Sequence, residues 1–380
     1  MTRSIIISFI GLVSGIAVGF LVIKSEAAST SHIKQAAPKQ IIGFLPYWQL
    51  EKVNQNDVDY LTTLTYFGLN VDEDGHIVKL ANEQQEDPGW YDLHSEKLGT
   101  ILNTARNKNI KLSLLISMGD ADVIHKLVNK PTEHAKALVK DVMPIMKKYH
   151  FTDLNLDIED TSNASPAAQK QFTQFVHTIR EQVINAKLGT LTLEISTADT
   201  VTYNLINIAE VVPYADSIVL MAYDFHSPDS IVTGPVAPLN GAGKNSEYDV
   251  TTAVERSLQI VPPNKLVLGM PLYGYEWETL NNAIRSAIIP GSGVLASNNR
   301  TESLITTCAS CSAFFDSNDQ EAFIQYQETA TGSYHQFSVP NAQSVQAKIA
   351  LANKEGLTGV ALWALGYESK TMLTPLANYK

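Results

Sequence analysis

Eight short apolar segments separated by longer amphipathic ones constrain this chain more than any other feature. Strands are expected over 41–46, 64–71, 111–117, 153–159, 191–197, 217–223, 265–272 and 359–363. Helical patterns fall between them, over 95–107, 132–149, 166–186, 200–212, 250–261 and 342–355. Eight strands alternating with helices predict an α/β fold, a (β/α)8 TIM barrel rather than a doubly wound open sheet. The spacing breaks once, between the seventh and eighth strands. Residues from about 277 to 340 hold both cysteines, a Gly291-Ser292-Gly293 turn and a β-like piece over 333–339, which predicts a small α+β insertion on the face where barrel active sites form. The glycine turn lacks the preceding strand of a βαβ unit, so it is not read as a dinucleotide loop.

The barrel reading covers 41–380. Before it, Arg3 precedes an apolar run from Ile5 to Ile23 and then Lys24-Ser25-Glu26-Ala27. That pattern predicts a signal peptide over 1–27 cut after Ala27, or an uncleaved N-terminal membrane anchor of the same extent. A polar linker over 28–40 follows. In both cases the body lies outside the cytoplasm, secreted or anchored to the membrane. Export makes a local disulfide between Cys308 and Cys311, in Cys-Ala-Ser-Cys, the expected state of those residues. They have no second pair or suitably spaced histidines, so a metal site is not expected. A net charge of −11 and no basic run exclude a nucleic-acid partner.

The chemistry concentrates in 151–160, Phe-Thr-Asp-Leu-Asn-Leu-Asp-Ile-Glu-Asp. Side chains alternate across a strand, so Leu154, Leu156 and Ile158 share one face while Asn155, Asp157 and Glu159 share the other. A row of amide and carboxylates on a central strand is costly to bury unless hydrogen-bonded or used. Neighbours on one face lie roughly 6 to 7 Å apart, close enough that one of Asp157 and Glu159 holds its proton more tightly. A carboxyl kept protonated in this way is a general acid.

Barrel active sites form at the carboxyl ends of strands. Here those ends carry Tyr47 and Trp48 (first), Asp157 and Glu159 (fourth), Met221, Tyr223 and Asp224 (sixth), Tyr273, Tyr275 and Trp277 (seventh) and Trp363 (eighth). Aromatic faces beside carboxylates suit a sugar cleft, where rings stack on pyranose C–H faces and polar groups take the hydroxyls.

These segments resemble glycoside hydrolase family 18, the chitinase family. The stretch 155–159 is similar to its D-x-x-D-x-D-x-E strand, Ser117-Met118-Gly119 to S-x-G-G, Met221-Ala222-Tyr223-Asp224 to M-x-Y-D, and Gly269 to Gly274 to G-x-P-x-Y-G. The eighth-strand form and Asn155 are more similar to the bacterial cell-wall and spore-associated branch. The resemblance implies a retaining hydrolase acting on beta-1,4 linkages of N-acetylglucosamine-containing polysaccharide, chitin or chitooligosaccharide, by substrate-assisted catalysis. In that scheme Glu159 is the acid, Asp157 orients the acetamido group and Tyr223 donates to it. Asn155 hydrogen-bonds Asp157, and Met221, Asp224, Tyr273, Trp363, Trp48 and Tyr47 bind sugar. No metal or organic cofactor is implied, and a monomer is expected. Two other readings stay open, a peptidoglycan-directed N-acetylglucosaminidase and a non-catalytic chitin-binding lectin on the same barrel. The chain departs from the family pattern at Thr152-Asp153, at Asn155 where the pattern has an acid, and at Asp120 where it has Gly.

Overall fold

The computed structural model describes residues 38–379 apart from 56, 161 and 245–247. The expected export segment and the linker up to residue 37 lie outside the described residues. Strands β1 (Gln40–Pro46), β2 (Thr63–Asn70), β3 (Lys111–Met118), β4 (Asp153–Ile158), β5 (Thr190–Ser196), β6 (Ser217–Met221), β7 (Leu266–Pro271) and β8 (Gly359–Trp363) close into one barrel. Every neighbouring pair is parallel, and β8 returns to β1 through Gln40↔Gly359 and Ile42↔Ala361.

Strand alternation sorts side chains into two layers. Leu154, Leu156 and Ile158 point outward and join the large cluster packed under the helices, each burial contributing about 1.5–3 kcal/mol. The parallel registers put Asn155 beside Leu115 and Thr192, and Glu194 beside Val219, so these residues share the barrel interior. That interior is divided. Ile42, Phe44, Leu115, Val219, Val267 and Ala361 fill one side as a separate apolar cluster, while Thr65, Ser113, Asp153, Asn155, Thr192 and Glu194 are buried on the other. Asp153 is satisfied there by Ser113 Oγ at 2.6 Å, Thr190 Oγ1 at 2.6 Å and Thr192 Oγ1 at 3.1 Å.

The helices begin where capping side chains dictate. Ser95, Ser165 and Asn341 accept from backbone N–H groups at the starts of Glu96–Asn107, Pro166–Asn185 and Ala342–Lys354. The helix expected over 200–212 is reduced to Ile208–Val211 between short 3-10 turns. Polar side chains there bond locally, Thr202 Oγ1 to Ala198 O and to Asn204 Oδ1, and Asn204 Nδ2 to Asp199, which competes with a helical ladder. The helix Ala121–Asn129 was not anticipated. Asp120 caps it, accepting from the N–H groups of Asp122 and Val123 at 3.0 and 3.1 Å, so its carboxylate turns to the helix and not to the cleft.

The insertion is a five-stranded antiparallel sheet in the order Val294–Ser297, Tyr273–Thr279, Tyr334–Ser338, Glu321–Gln327, Ser312–Asp316, with helix Asn298–Thr307. It starts at Tyr273, a few residues earlier than expected. Leu272 still bonds to the Trp363 carbonyl at 2.7 Å, after which the chain leaves the barrel and pairs with Ser297. Cys308 and Cys311 are disulfide-bonded just after this helix. A buried ion pair between Lys348 and Glu321 joins helix Ala342–Lys354 to the inserted sheet.

Candidate active site

The carboxyl ends of the strands surround a cavity of about 440 Å³. One wall is acidic, with Asp157, Glu159, Glu194 and Asp224; the other is aromatic, with Phe44, Phe67 and Trp363. Met221 and Tyr223 also line it. Edge-on contacts of Phe44, Phe67 and Trp48 with Trp363, at 5.8, 5.0 and 6.2 Å between ring centroids, hold the indole plane.

Asp157 is buried, and its carboxyl and that of Glu159 line the same cavity and influence each other's titration. Two neighbouring carboxyls resist ionising together. Burial is the largest cause raising the Asp157 carboxyl well above its ordinary range, followed by the charges of Glu159 and Glu194. Glu159 reaches solvent through the cleft, yet protein atoms close in beneath it, and that partial desolvation raises its carboxyl above the usual value. The hydrogen bond from Asp157 pulls it back, and Asp199 and Asp224 push it up again. Both carboxyls are therefore pushed upward, and the pair resists losing its last proton. The two carboxyls expected on one strand face stand together there, Asp157 buried and Glu159 at the cleft.

Burial, then the negative charges of Glu194, Asp157 and Glu159, raises the Tyr223 phenol well above its ordinary value, so it stays a hydrogen-bond donor across the pH range of enzymes. Room for its ring depends on Gly269 of β7. A Cβ there would lie 2.6 Å from the Leu220 carbonyl and 3.2 Å from Tyr223 Cε1. Asp224 follows in the left-handed region at φ 59°, which Asp tolerates better than most residues. Its Oδ1 accepts from Tyr273 at 2.6 Å and Tyr275 at 2.8 Å, so the first inserted strand braces the cleft.

Three placements correct the sequence reading. Asn155 does not bond Asp157; its Nδ2 donates to Glu194 Oε1 of β5 at 2.7 Å, because closure of the barrel brings β5 against the inward face of β4. Trp277 belongs to the inserted strand, is 0 % exposed and donates to the Ser227 carbonyl at 3.2 Å, so it packs the insertion and does not stack on a ligand. Tyr47 and Trp48 stand outside the cavity wall as its rim, Trp48 being 45 % exposed and in edge contact with Tyr47 at 5.0 Å. Sequence reasoning missed Glu194, Phe44 and Phe67. Phe44 and Phe67 could have been found from strand parity; Glu194 carried one signal, an acid alone inside the apolar strand Leu-Thr-Leu-Glu-Ile.

A parallel barrel whose strand ends hold a proton-sharing carboxyl pair against an aromatic wall has the architecture of a (β/α)8 glycosidase. The model for Glycosyl hydrolases family 18 matches residues 40–368, and the chain belongs to that family. It is similar to a class V chitinase of Arabidopsis thaliana, 26 % identical over 301 residues that cover 74 % of this chain and 76 % of that protein. It is also similar to the putative sporulation-specific glycosylase YdhD of Bacillus subtilis (strain 168), 24 % identical over 315 residues covering 80 % and 66 %. The Ostrinia furnacalis Group IV chitinase in complex with allosamidin has the same fold, with a TM-score of 0.76 at 21 % identity over 90 % of this chain and 97 % of that one.

Proposed function

We propose that this glycosidase cleaves beta-1,4 linkages of N-acetylglucosamine-containing polysaccharide, with the substrate's own acetamido oxygen as nucleophile. The observation that carries the reading is the placement of Asp157, Glu159 and the Tyr223 phenol around one open cleft at the strand ends. Glu159 gives its proton to the glycosidic oxygen as the bond from that oxygen to C1 breaks. The acetamido carbonyl oxygen bonds to C1, forming an oxazolinium ion. Asp157, having passed its proton toward Glu159, accepts from the acetamido N–H and offsets the positive charge. Tyr223 donates to the acetamido oxygen, Asp224, braced by Tyr273, holds the sugar's hydroxyls, and Trp363 supports its apolar face. Water then attacks C1 from the face the glycosidic oxygen left, the bond from C1 to the acetamido oxygen breaks, Glu159 takes the water's proton, and the anomeric configuration is retained.

The export pattern of 1–27 supports a site of action outside the cytoplasm, secreted or membrane-anchored, and the open cleft suits a polymeric ligand such as chitin. The similarity to a sporulation-specific glycosylase, together with Asn155, supports peptidoglycan as a second substrate class. The test is chromophore release from an N,N′-diacetylchitobiose glycoside by the 41–380 body, beside Glu159→Gln. Release by the wild type alone is expected. Equal rates in both would remove Glu159 from the mechanism, and binding of chitin oligomers with no release by folded wild type would favour the lectin.

A further inference from the structure

Glu194 lies in none of the motifs that carry the family resemblance. It projects from β5 into the barrel interior, is 3 % exposed and lines the same cavity as Asp157 and Glu159. Its Oε1 accepts from Nδ2 of Asn155, the amide that stands where the family pattern has an acid. The carboxyl missing from β4 is thus present one strand over, bonded to the residue that replaced it.

The surroundings of Glu194 offer no countercharge. Asp153, Asp157 and Glu159 face it from β4, Thr192 and Ser196 flank it on β5, Tyr223 and Asp224 follow β6, and Asp199 lies just beyond β5. No ion pair among the described residues reaches Glu194, Asp157 or Glu159. Asn155 Oδ1 and Asp157 Oδ1 are buried and accept no hydrogen bond from any described residue. Asp157 and Glu194 are buried beside Glu159 without a cation among the described residues, so full ionisation of all three carboxyls is costly and protons are retained among them.

The geometry points to Glu194 as a positioning residue for hydrolysis, supplying from β5 the ionisable carboxyl that β4 lacks and keeping a proton on the Asp157–Glu159 pair. This rests on the glycosidase reading above. Negative charge near an acid raises its affinity for a proton, and Glu194 acts in this way on Asp157, so loss of the Glu194 carboxyl lets the Asp157–Glu159 pair give up its proton earlier.

The test compares wild type, Glu194→Gln and the exchanged pair Asn155→Asp/Glu194→Gln, which keeps one carboxyl and one amide in contact with their strands reversed. In E194Q the alkaline limb of the kcat/KM profile on the chitobioside should move down by about half to one pH unit, with kcat near neutral pH falling roughly three- to tenfold. The exchanged pair should return the limb to the wild-type position. A second readout needs no substrate: ¹³C NMR titration of the Asp157 carboxyl should show a lower midpoint in E194Q. An unmoved midpoint and an unmoved limb in E194Q, or a double variant no better than the single, would overturn the assignment. If folded wild type releases no chromophore the proposed substrate fails, and the carboxyl titration still decides the role of Glu194.

Discussion

Replacing Asp157 with Asn separates the catalytic from the stability consequences of the carboxyl pair. Asn has nearly the same volume and can still bond Glu159, so packing is preserved. What disappears is the proton that Asp157 lends to Glu159 and the negative charge that would face the oxazolinium ion. Losing a positioned catalytic group of this kind costs about two to four powers of ten in kcat, or roughly 3–5 kcal/mol of barrier. The stability effect has the opposite sign. The folded pKa of Asp157 is raised above its unfolded value, so the stability it contributes is present below the unfolded pKa and is lost as pH rises through the folded one. Asn does not titrate, so the variant should lose less melting temperature than wild type between pH 4 and pH 8. Chitobioside hydrolysis and thermal melts at both pH values measure the two effects. A kcat within threefold of wild type, or a steeper loss of melting temperature with pH in the variant, would refute the reasoning.

Three further outcomes follow from the same geometry. Burial pushes the Asp153 carboxyl up to about 6 from an ordinary 3.8, against the pull of its three hydroxyl donors; this contribution should be lost as pH rises from about 4 to 6, costing roughly 3 kcal/mol, and Asp153→Asn should flatten that decline in denaturant unfolding. Lys348→Met leaves Glu321 buried without its cation, which should cost about 3–5 kcal/mol, and the added change Glu321→Leu should recover most of it in melting temperature. Gly269→Ala drives a methyl group against the Leu220 carbonyl and the Tyr223 ring, so kcat should fall more than KM changes, by at least about tenfold if the phenol leaves the acetamido oxygen; unchanged kcat would show that β7 yields instead.

Much of the barrel could be read before folding because its determinants are local. All eight strand segments fall within a few residues of their expected positions, since each is a short β-rich run whose alternation marks an outward apolar face. The opposition of Leu154, Leu156 and Ile158 to Asn155, Asp157 and Glu159 was visible from parity alone. The helix expected over 200–212 failed for the converse reason: an amphipathic pattern does not reveal side chains that bond their own backbone. Trp277 was misplaced because a strand leaving the barrel and a strand ending in it look alike in sequence.

By itself the sequence determined the strand count, the faces of β4, the carboxyl pair and the disulfide, all properties of residues within a few positions of one another. The tertiary structure alone decided that Asn155 pairs with Glu194, 39 positions away, that Phe44, Phe67 and Trp363 form one wall, and that Tyr273 and Tyr275 of the insertion hold Asp224. Those contacts depend on which inward faces meet when the barrel closes, and closure is set by the register of all eight strands together. A local pattern tells a residue which way to point; it does not say what will be there.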